Sequence, residues 1–425
     1  MPFSIRSQDP AVVYLVLRAG GSLFFTVLAT TNLVYQVEVA HFGPLELLLV
    51  GTVLELTCFV FQVPTGVLAD SFSRRWAVAV GCGLVGAGFI LEGLVPLFAA
   101  IAVSQVIWGI GAVLTDGADD AWITDEVGEE RAGRLFLHGS QVGQAAGLVG
   151  IFVGVGLASI RLNLPIVVGG GLYVLLGVYL LVAMSETGFQ SMPREGGGTV
   201  MGMVSGVRSS LAVVRSRSLI ILILAITVVW GLSGEGIDRL NQVHFLKDVG
   251  LPTLGGLSPV LWFGVISGGS ALIGIVATQV IRRRLDLGDH KLVTWSLFSF
   301  TAVRAVMLVV FALATNLAAA IAALWVASVM RQAYGPVQRA WLNKSLDPAH
   351  RATLFSVDGQ ADALGQILGG PMIGVVGSGV SIRAALLTSA ALLGLALPLL
   401  VRALGQVSGR PLVIEEINGA PTQDS

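Results

Sequence analysis

Charged residues are scarce in this sequence. Aspartate, glutamate, lysine and arginine make up 12% of its 425 residues, whereas 54% are hydrophobic. A soluble domain carries about 25% charged residues, so this chain has too little polar surface to face water on every side. The scarcity excludes a soluble protein, which at this length would form two or three domains with polar surfaces. It predicts a chain that lies largely within a lipid bilayer.

Several other features are rare or absent. The two cysteines, Cys58 and Cys82, lie in apolar runs, so we interpret them as packing residues and not as a disulfide or a metal pair. The sequence has no Gly-x-x-x-x-Gly-Lys-Ser/Thr phosphate loop and no His-Glu-x-x-His motif, which argues against an ATP-driven pump and a metalloenzyme. A net charge of −1 argues against a nucleic-acid partner. We expect no catalytic residue, cofactor or metal, and no cleavable signal peptide, because residues 1–10 lack an apolar core.

Long apolar runs are abundant. A helix needs about 20 apolar residues to cross a bilayer. Twelve such runs occur, near 11–36, 44–69, 76–97, 100–123, 134–160, 164–185, 218–241, 257–281, 291–314, 317–342, 352–378 and 380–402. The sequence therefore predicts an all-α membrane protein with twelve transmembrane helices, and the short links between them predict antiparallel neighbours.

Arginine and lysine are divided unevenly between the two sets of loops. One set carries only Arg161, Lys247 and Arg383. The other carries Arg6, Arg74, Arg75, Arg131, Arg134, Arg194, Arg208, Arg215, Arg217, Arg282, Arg283, Arg284, Lys291, Lys344, Arg351, Arg402 and Arg410. Because basic loops stay in the cytoplasm, we predict a multi-pass protein of the plasma membrane with both termini cytoplasmic. We expect a bacterial source and a monomer.

The longest link divides the helices into two sets of six. It contains Pro193 and three consecutive glycines, and then a stretch, 200–214, in which apolar residues recur at helical spacing. We interpret that stretch as a short helix on the membrane surface, with a disordered linker as the alternative. The predicted units are a six-helix bundle at 1–186, the linker at 187–217, a second bundle at 218–402 and a polar cytoplasmic tail at 403–425.

The two sets of helices resemble each other in sequence. Ala121-Trp122-Ile123 ends the fourth helix, and Ala340-Trp341-Leu342 ends the tenth, 219 residues later. Parallel repeats of this kind are typical of transporters, so we predict a 6+6 pseudo-repeat. At the same offset Leu135-Phe136 matches Leu354-Phe355, Gln141 matches Gln360 and Gly150 matches Gly369.

A distinctive loop joins the second and third helices. It reads Gly66-Val67-Leu68-Ala69-Asp70-Ser71-Phe72-Ser73-Arg74-Arg75. It resembles the signature loop of the major facilitator superfamily, Gly-x-Leu-Ala-Asp-x-x-Gly-Arg-Lys/Arg, with Ser73 in place of the usual glycine and Ser71 in place of a common arginine. With the twelve helices and the repeat, the resemblance covers roughly 1–402. The alternative is a basic membrane anchor beside a capped helix end.

The resemblance implies a gate. In that family the loop acid and arginine join a charge network that closes the cytoplasmic side of the transporter. The family's partner acid lies near the cytoplasmic end of the fourth helix. Carried over, the gating residues are Gly66, Asp70, Arg74, Arg75 in a supporting role, and Asp119 or Asp120 as the partner acid.

Drug–proton antiporters of the superfamily offer a closer comparison, with two departures. They often carry an arginine in the fourth helix at the place where this chain has Gln105. They also tend to carry a Gly-Pro pair in the fifth helix, where this chain has Gly139, Gly143 and Gly147 and no proline. Both departures count against a drug–proton antiporter in particular, and the resemblance implies an exporter of drugs or of metabolites.

Ionisable residues at membrane depth are costly, so they are candidates for function and normally face the bundle interior. The helical rise places one group in the cytoplasmic third to half. We expect Asp116 and Asp120 one turn apart on one face, Asp120 level with His138, and Arg339 level with Asp358. The group serves either proton coupling or interhelical ion pairs that hold the gate; it comprises Arg18, Asp116, Asp119, Asp120, His138, Arg339 and Asp358.

A second group, Glu55, Arg304, Arg331 and Asp362, is predicted nearer the midplane, where substrate sites of the superfamily lie. The family fold places the second and eleventh helices face to face. A low-dielectric medium favours the protonated form of a carboxyl group, which suits a group that takes up and releases a proton. Glu55 and Asp362 are therefore the candidates for proton coupling, with structural pairs to Arg331 or Arg304 as the alternative.

The end of the seventh helix combines charges with glycines. Glu235, Asp238 and Arg239 stand beside Gly231, Gly234 and Gly236, which predicts a kinked outer end, and Glu235 and Arg239 are spaced to pair on one face. A gate hinge or substrate contact is one interpretation, and a plain extracellular cap is the other.

The predicted function is secondary active transport of a small molecule by alternating access. The short loops and the signature loop favour proton-coupled export of amphipathic compounds. Import of a metabolite is the alternative. A sensor or scaffold of the same fold is a third hypothesis, although a scaffold has no need of buried carboxylates.

Overall fold

The computed structural model describes residues 8–189, 218–252, 260–284, 289–344 and 351–408, which are almost entirely helical and contain no strand. The predicted surface helix at 200–214 and residues 409–425 of the predicted tail lie outside the described residues. The helices are α1 (Pro10–Glu38), α2 (Pro44–Ser71), α3 (Arg74–Leu94), α4 (Phe98–Thr115), α5 (Ala118–Val127), α6 (Glu129–Ala158), α7 (Leu164–Ala183), α8 (Ser218–His244), α9 (Val260–Arg284), α10 (His290–Leu313), α11 (Leu317–Lys344), α12 (Arg351–Gly379), α13 (Ile382–Gly394) and α14 (Ala396–Ser408).

Eleven helical segments of the described chain are long and apolar enough to cross a membrane. α4 and α5 form one of them, α13 and α14 another, and a π-helical turn, Phe245–Val249, extends α8. The twelfth membrane-length helix is α12, whose 29 residues include several glycines, Asp358 and Asp362. The prediction of twelve transmembrane helices is confirmed. We call α1–α7 the first half and α8–α14 the second half.

Short polar side chains start several helices and set their bounds. The Asp9 carboxylate accepts the backbone N–H of Ala11 at 3.0 Å, ahead of α1. The Ser73 hydroxyl accepts the N–H of Trp76 at 3.1 Å, ahead of α3. Such side chains satisfy backbone donors that have no partner within the helix. The serine that replaces glycine in the signature loop thus serves as a helix cap.

Two predicted helices are interrupted. The fourth span breaks at Gly117, whose φ of 76° belongs to the left-handed region that favours glycine. Because of this break, Asp116 and Asp120 do not share one regular helical face, and that expectation was wrong. The last span breaks at Leu395 and continues as α14 to Ser408, six residues beyond the predicted end at 402.

The buried apolar side chains of the described residues form three clusters. One cluster around Trp122 belongs to the first half, and one around Trp341 belongs to the second half. The third cluster joins residues of both halves, among them Leu48 and Ile373. We call the membrane side where α2 ends and α3 begins the basic side, and the opposite one the far side. The halves share a core toward the far side and have separate cores toward the basic side, which leaves a space between them there.

Glycines bring the two halves together at the far side. A Cβ on Gly374 of α12 would lie 3.1 Å from the Cα of Leu45 on α2, and a Cβ on Gly370 would lie 3.8 Å from the Cβ of Thr52. The backbone N–H of Leu45 donates to the Ser378 hydroxyl at 3.0 Å. Close approach through small residues is how helices pack in lipid. α2 and α12 therefore face each other, as the family fold implied.

The repeat is visible in the packing. Trp122 and Trp341, equivalent in sequence, are both buried with exposures of 1% and 0%. A Cβ on Gly150 of α6 would lie 2.7 Å from the carbonyl oxygen of Leu23 on α1, and a Cβ on the equivalent Gly369 of α12 would overlap the carbonyl oxygen of Leu232 on α8. In each half the fifth helix thus packs bare backbone against the first helix, in agreement with the predicted 6+6 pseudo-repeat. The bounds assigned to the two bundles remain a prediction.

Candidate functional site

A cavity of about 750 Å³ lies between the halves. Side chains from α1, α2, α4, α6 and α12 line it, and they include residues near the basic ends of those helices, such as Gln62. Its acids are Glu55, Asp116, Asp119 and Asp362. Because the halves meet at the far side, we infer that this cavity opens toward the basic side. We call it the main cavity.

The two predicted coupling acids face the main cavity from opposite halves. Glu55 lies on α2 and has no hydrogen-bond partner among the described residues. Asp362 lies on α12 and accepts a hydrogen bond from Gln366 at 2.8 Å. Neither acid forms an ion pair with Arg304 or Arg331 within the described chain, so the alternative of direct structural pairs does not hold in this conformation.

A second cavity, of about 370 Å³, lies within the second half and shares Gly359, Asp362 and Gln366 with the main cavity. We call it the side cavity. Its wall includes Asp358, which accepts a hydrogen bond from the Thr227 hydroxyl at 2.6 Å. Gln338 Nε2 lies 3.4 Å from the same carboxylate. Arg339 lines the cavity as well but forms no hydrogen bond with Asp358 among the described side chains, so the two residues share a cavity without forming a close pair.

Two arginines stand in the wall of the side cavity. Nη1 of Arg331 donates to both carboxylate oxygens of Asp238, at 2.5 and 2.6 Å. Arg304 is 3% exposed, and its guanidinium carbon lies 5.0 Å from the centre of the Trp230 ring. Both arginines also line a third cavity of about 480 Å³, between α8, α9, α10 and α11. They therefore separate the side cavity from that third cavity.

The charged residues of α8 lie within the helix, which continues to His244, so they do not form a plain cap at its end. Glu235 is 3% exposed, and one of its oxygens lies 3.4 Å from Nε of Arg239. The pair rests against Gly51 of α2, where an added Cβ would lie 2.7 Å from Nε of Arg239. The pair therefore belongs to the contact between the halves.

The signature loop forms a charge network inside the first half. Arg74 contacts Asp70 at 3.4 Å, donates to the Ala121 carbonyl at 2.9 Å and pairs with Asp125 of α5. Arg75 donates its backbone N–H to Glu186 at 3.0 Å. Gly66 is exposed and has no atom within 4 Å of an added Cβ, so it makes no close helix contact.

The predicted partner acids bind elsewhere. Asp119 pairs with Arg18 of α1 at 3.1 Å, and Asp120 accepts the Tyr14 hydroxyl at 2.8 Å. The assignment of either acid to Arg74 was wrong, because the break at Gly117 turns both toward α1 and leaves Asp125, further along α5, beside the loop. His138, expected level with Asp120, bonds the carbonyl of Arg134 in its own helix.

The comparisons with known proteins agree with this geometry. Residues 11–302 match the family model of the Major Facilitator Superfamily, and this match spans more than half of the chain.

The chain belongs to the major facilitator superfamily.

Similar proteins extend this result. The uncharacterized MFS-type transporter YxaM of Bacillus subtilis (strain 168) is 21% identical over 347 residues, which cover 80% of this chain and 82% of that protein. The nucleoside transporter NupG (D323A mutant) superposes with a TM-score of 0.76 at 14% identity, over 93% of this chain and all of that structure. A bacterial homologue of the human lysosomal transporter Spinster, inward-facing and unoccupied, gives a TM-score of 0.75 at 15% identity, over 94% of this chain and 98% of that one. The protein is therefore a multi-pass membrane transporter and not an enzyme.

The charge network around the signature loop includes acids that the sequence analysis did not select. Glu186, just after α7, accepts the Ser73 hydroxyl at 2.7 and 2.8 Å, and Glu126 accepts the Ser185 hydroxyl at 2.6 Å. Together with Asp125 they tie α5, the signature loop and the end of α7 together. The signal that could have revealed them is their position: Asp125 and Glu126 lie in a predicted short loop, and Glu186 lies at the start of the longest link, all on the same side as the signature arginines.

A further acid, Glu92 of α3, is fully buried and was also missed. Amide nitrogens of Gln36, Asn32 and Gln105 donate to its carboxylate at 2.7, 2.9 and 3.2 Å. Such donors offset the cost of removing a carboxylate from water. Polar residues on three neighbouring apolar helices, at matching depth, were the signal in the sequence.

Proposed function

We propose that this protein is a proton-coupled secondary transporter that exports amphipathic compounds by alternating access. The observation that carries the proposal is the pair of acids, Glu55 and Asp362, that face one cavity from opposite halves. Each half contributes one proton acceptor to the space through which a substrate must pass. Apolar side chains such as Phe25 and Trp108 share the lining, which suits a compound with both polar and apolar parts.

The basic side is the cytoplasmic side in this proposal, so the structure corresponds to an inward-facing state. Reporter fusions test the orientation. Fusions at 195 and 405 should behave as cytoplasmic and one at 315 as external. A reversed pattern would overturn the assignment of sides and with it the direction of transport.

Cys58 offers a natural test of alternating access because it lines the main cavity and is partly exposed, whereas Cys82, which also lines the cavity, is only 2% exposed. A membrane-impermeant maleimide should label Cys58 from the cytoplasmic face in inside-out vesicles and not in right-side-out vesicles. Cys58→Ala is the control for labelling of Cys82. Equal labelling from both faces would contradict a cavity that is closed at the far side.

Coupling is tested in liposomes that contain a pH-sensitive dye and are challenged with a panel of amphipathic compounds. A transported compound should move protons with the parent protein. Glu55→Gln or Asp362→Asn should abolish accumulation driven by a pH gradient and leave downhill exchange intact, because binding and rocking remain. Normal accumulation in both variants would exclude both acids as coupling groups.

The same experiment separates the alternatives. Flux of a compound in the same direction as the protons indicates the metabolite importer, since a proton-coupled exporter moves its substrate against the direction of the protons. Absence of any flux with the whole panel, in a folded protein, favours the sensor or scaffold. The buried acids weigh against that alternative because each costs stability that a scaffold need not sacrifice.

A further inference from the structure

The wall of the side cavity carries hydrogen-bond donors without acceptors. In the described part of the chain, Nε and Nη1 of Arg304, Nε1 of Trp230 and the hydroxyl of Tyr334 are buried and have no hydrogen-bond partner. Arg304 and Tyr334 are 3% and 4% exposed. A buried donor without an acceptor costs about 1–3 kcal/mol, and more if it is charged. Three neighbouring side chains in this condition indicate an acceptor that the protein itself does not supply.

The same side chains form a stack. The guanidinium of Arg304 lies over the Trp230 indole at 5.0 Å, and the rings of Trp230 and Tyr334 are stacked with centroids 3.9 Å apart and planes inclined by 24°. The indole face attracts the cation but accepts none of its N–H groups in the ordinary way. The stack thus holds Arg304 in place without giving its N–H groups an acceptor.

The charge of Arg304 is not balanced by an acid of its own. The neighbouring cation, Arg331, takes both oxygens of Asp238. The acids of the side cavity bond other groups: Asp358 accepts from Thr227, and Asp362 accepts from Gln366. A buried charge requires a partner or a high energetic cost, so the missing partner is an anion.

We propose that the side cavity binds the anionic group of the transported compound at Arg304, and that a flat apolar ring of the same compound packs against the open edge of the Trp230–Tyr334 stack. The substrate class is an aromatic organic carboxylate. A guanidinium fork matches a carboxylate geometrically, and aromatic rings favour edge-to-face contacts with one another. This inference rests on the proposed function, because it names the compound that the transporter carries.

A charge series of one ring system tests the proposal by binding alone. The probes are 1-naphthoate, 1-naphthamide and 1-naphthylmethylammonium, titrated against the purified protein with thermal stabilisation as the readout. The anion should bind with the lowest Kd, the amide about tenfold or more weakly because it loses a charge-assisted pair, and the cation should not bind measurably. Equal Kd values for the three probes, or preference for the cation, would overturn the proposal.

Variants locate the site. Arg304→Gln should raise the Kd of 1-naphthoate at least tenfold and leave that of the amide unchanged, and Arg304→Lys should give an intermediate Kd because the charge remains and the fork is lost. Arg161→Gln removes an exposed arginine at the far side and serves as the control. Unchanged anion affinity in folded Arg304→Gln would overturn the assignment. If Arg304→Gln does not fold, the charge series on the parent protein and the Kd of Arg304→Lys decide. The proposal is overturned if the parent shows no preference for the anion and Arg304→Lys binds 1-naphthoate as tightly as the parent does.

The outcome is independent of the coupling test. Binding of 1-naphthoate that depends on Arg304, without proton flux, would leave this inference standing and overturn the proposed function. Proton-coupled flux of neutral or cationic compounds, without preference for the anion, would support the proposed function and overturn this inference.

Discussion

The two halves repeat one helical plan but distribute their charges differently. In the first half the arginines near the basic side are paired: Arg18 contacts Asp119, and Arg74 contacts Asp70 and Asp125. In the second half Arg304 stands buried without an acid within the described chain. An internally paired network holds elements together, whereas an unpaired buried charge invites a ligand. This difference agrees with the proposals above, in which the first half carries the gate and the second half binds the substrate.

The strongest test of the repeat is packing at its equivalent glycines. Gly369→Val and Gly150→Val should each destabilise the protein, by about 3 kcal/mol or more, because the new side chain meets a backbone carbonyl that cannot move easily. The effect should be larger at Gly369, where the overlap is greater. Apparent melting temperature in detergent provides the measurement.

Matched controls exist in the same helices. Gly156 of α6 and Gly379 of α12 have open space where a Cβ would lie, so valine there should cost little. If all four valine variants were equally stable, the close packing of the fifth helix of each half on its first helix would be disproved.

Substitution of Glu92, the acid buried in the first half, should destabilise the protein less than the glycine substitutions do but more than substitutions in the gate. Glu92→Leu leaves the amide donors of Asn32, Gln36 and Gln105 without an acceptor, at a cost of about 1–3 kcal/mol. Glu92→Gln keeps one acceptor oxygen and should therefore lose less stability than Glu92→Leu. A lower melting temperature for Glu92→Leu than for Glu92→Gln is expected; the reverse order would mean that the amide donors do not need an acceptor at this site.

The gate variants should follow the contacts of Arg74. Arg74→Ala removes three contacts and should lower the transport rate about tenfold. A change of roughly 1.4 kcal/mol in the free-energy difference between the inward-facing and outward-facing states has an effect of that size. Asp125→Asn should lower the transport rate less than Arg74→Ala does. Asp70→Asn should lower it least, because Asp70 is half-exposed and its carboxylate lies 3.4 Å from Arg74. Melting temperatures should change little.

The order of these effects tests whether Arg74 is paired with Asp125, as in the structure, or with Asp119 or Asp120, as the family resemblance implied. A stronger effect of Asp119→Asn or Asp120→Asn than of Asp125→Asn would restore the partner expected from the sequence. Transport rates measured at equal protein content in liposomes provide the comparison.

The smallest effect is expected where the halves touch by a single side-chain bond. Gln360 on α12 donates to Gln62 on α2 at 2.6 Å. Gln62→Ala should change the labelling rate of Cys58 by less than about fivefold, because one such bond contributes about 1 kcal/mol. Gln144→Ala, which removes only a bond to Ser140 within α6, is the control. A change of a hundredfold would mean that this bond holds the conformation.

The membrane fold and part of the site could be read from the sequence. Helix length and hydropathy depend on composition, so the twelve spans were predictable, and the depth of Glu55 and Asp362 followed from the helical rise. The direction in which each side chain points around its helix axis could not be predicted, because a single left-handed residue, Gly117, changes which acids face Arg74. Spacing alone assumes an unbroken helix, and for that reason Asp119 and Asp120 were expected where Asp125 lies.

Burial of polar residues was equally hard to foresee. Glu92 stands near the end of an apolar run, where an interfacial position is the simpler expectation, and only the packing of α1, α3 and α4 brings three amide side chains to it. The lack of a partner for Arg304 is likewise a property of three dimensions. A sequence shows which charges exist at a given depth, but not which of them remain unsatisfied.

The close approach of Gly370 to Thr52 makes the transporter suitable for redox control. Their Cβ positions would be 3.8 Å apart, which is the average spacing across a disulfide bond. In a background without Cys58 and Cys82, Thr52→Cys combined with Gly370→Cys should therefore oxidise into a covalent clamp across the far side. Oxidant would then arrest the transport cycle, and reductant would restart it in the same molecules.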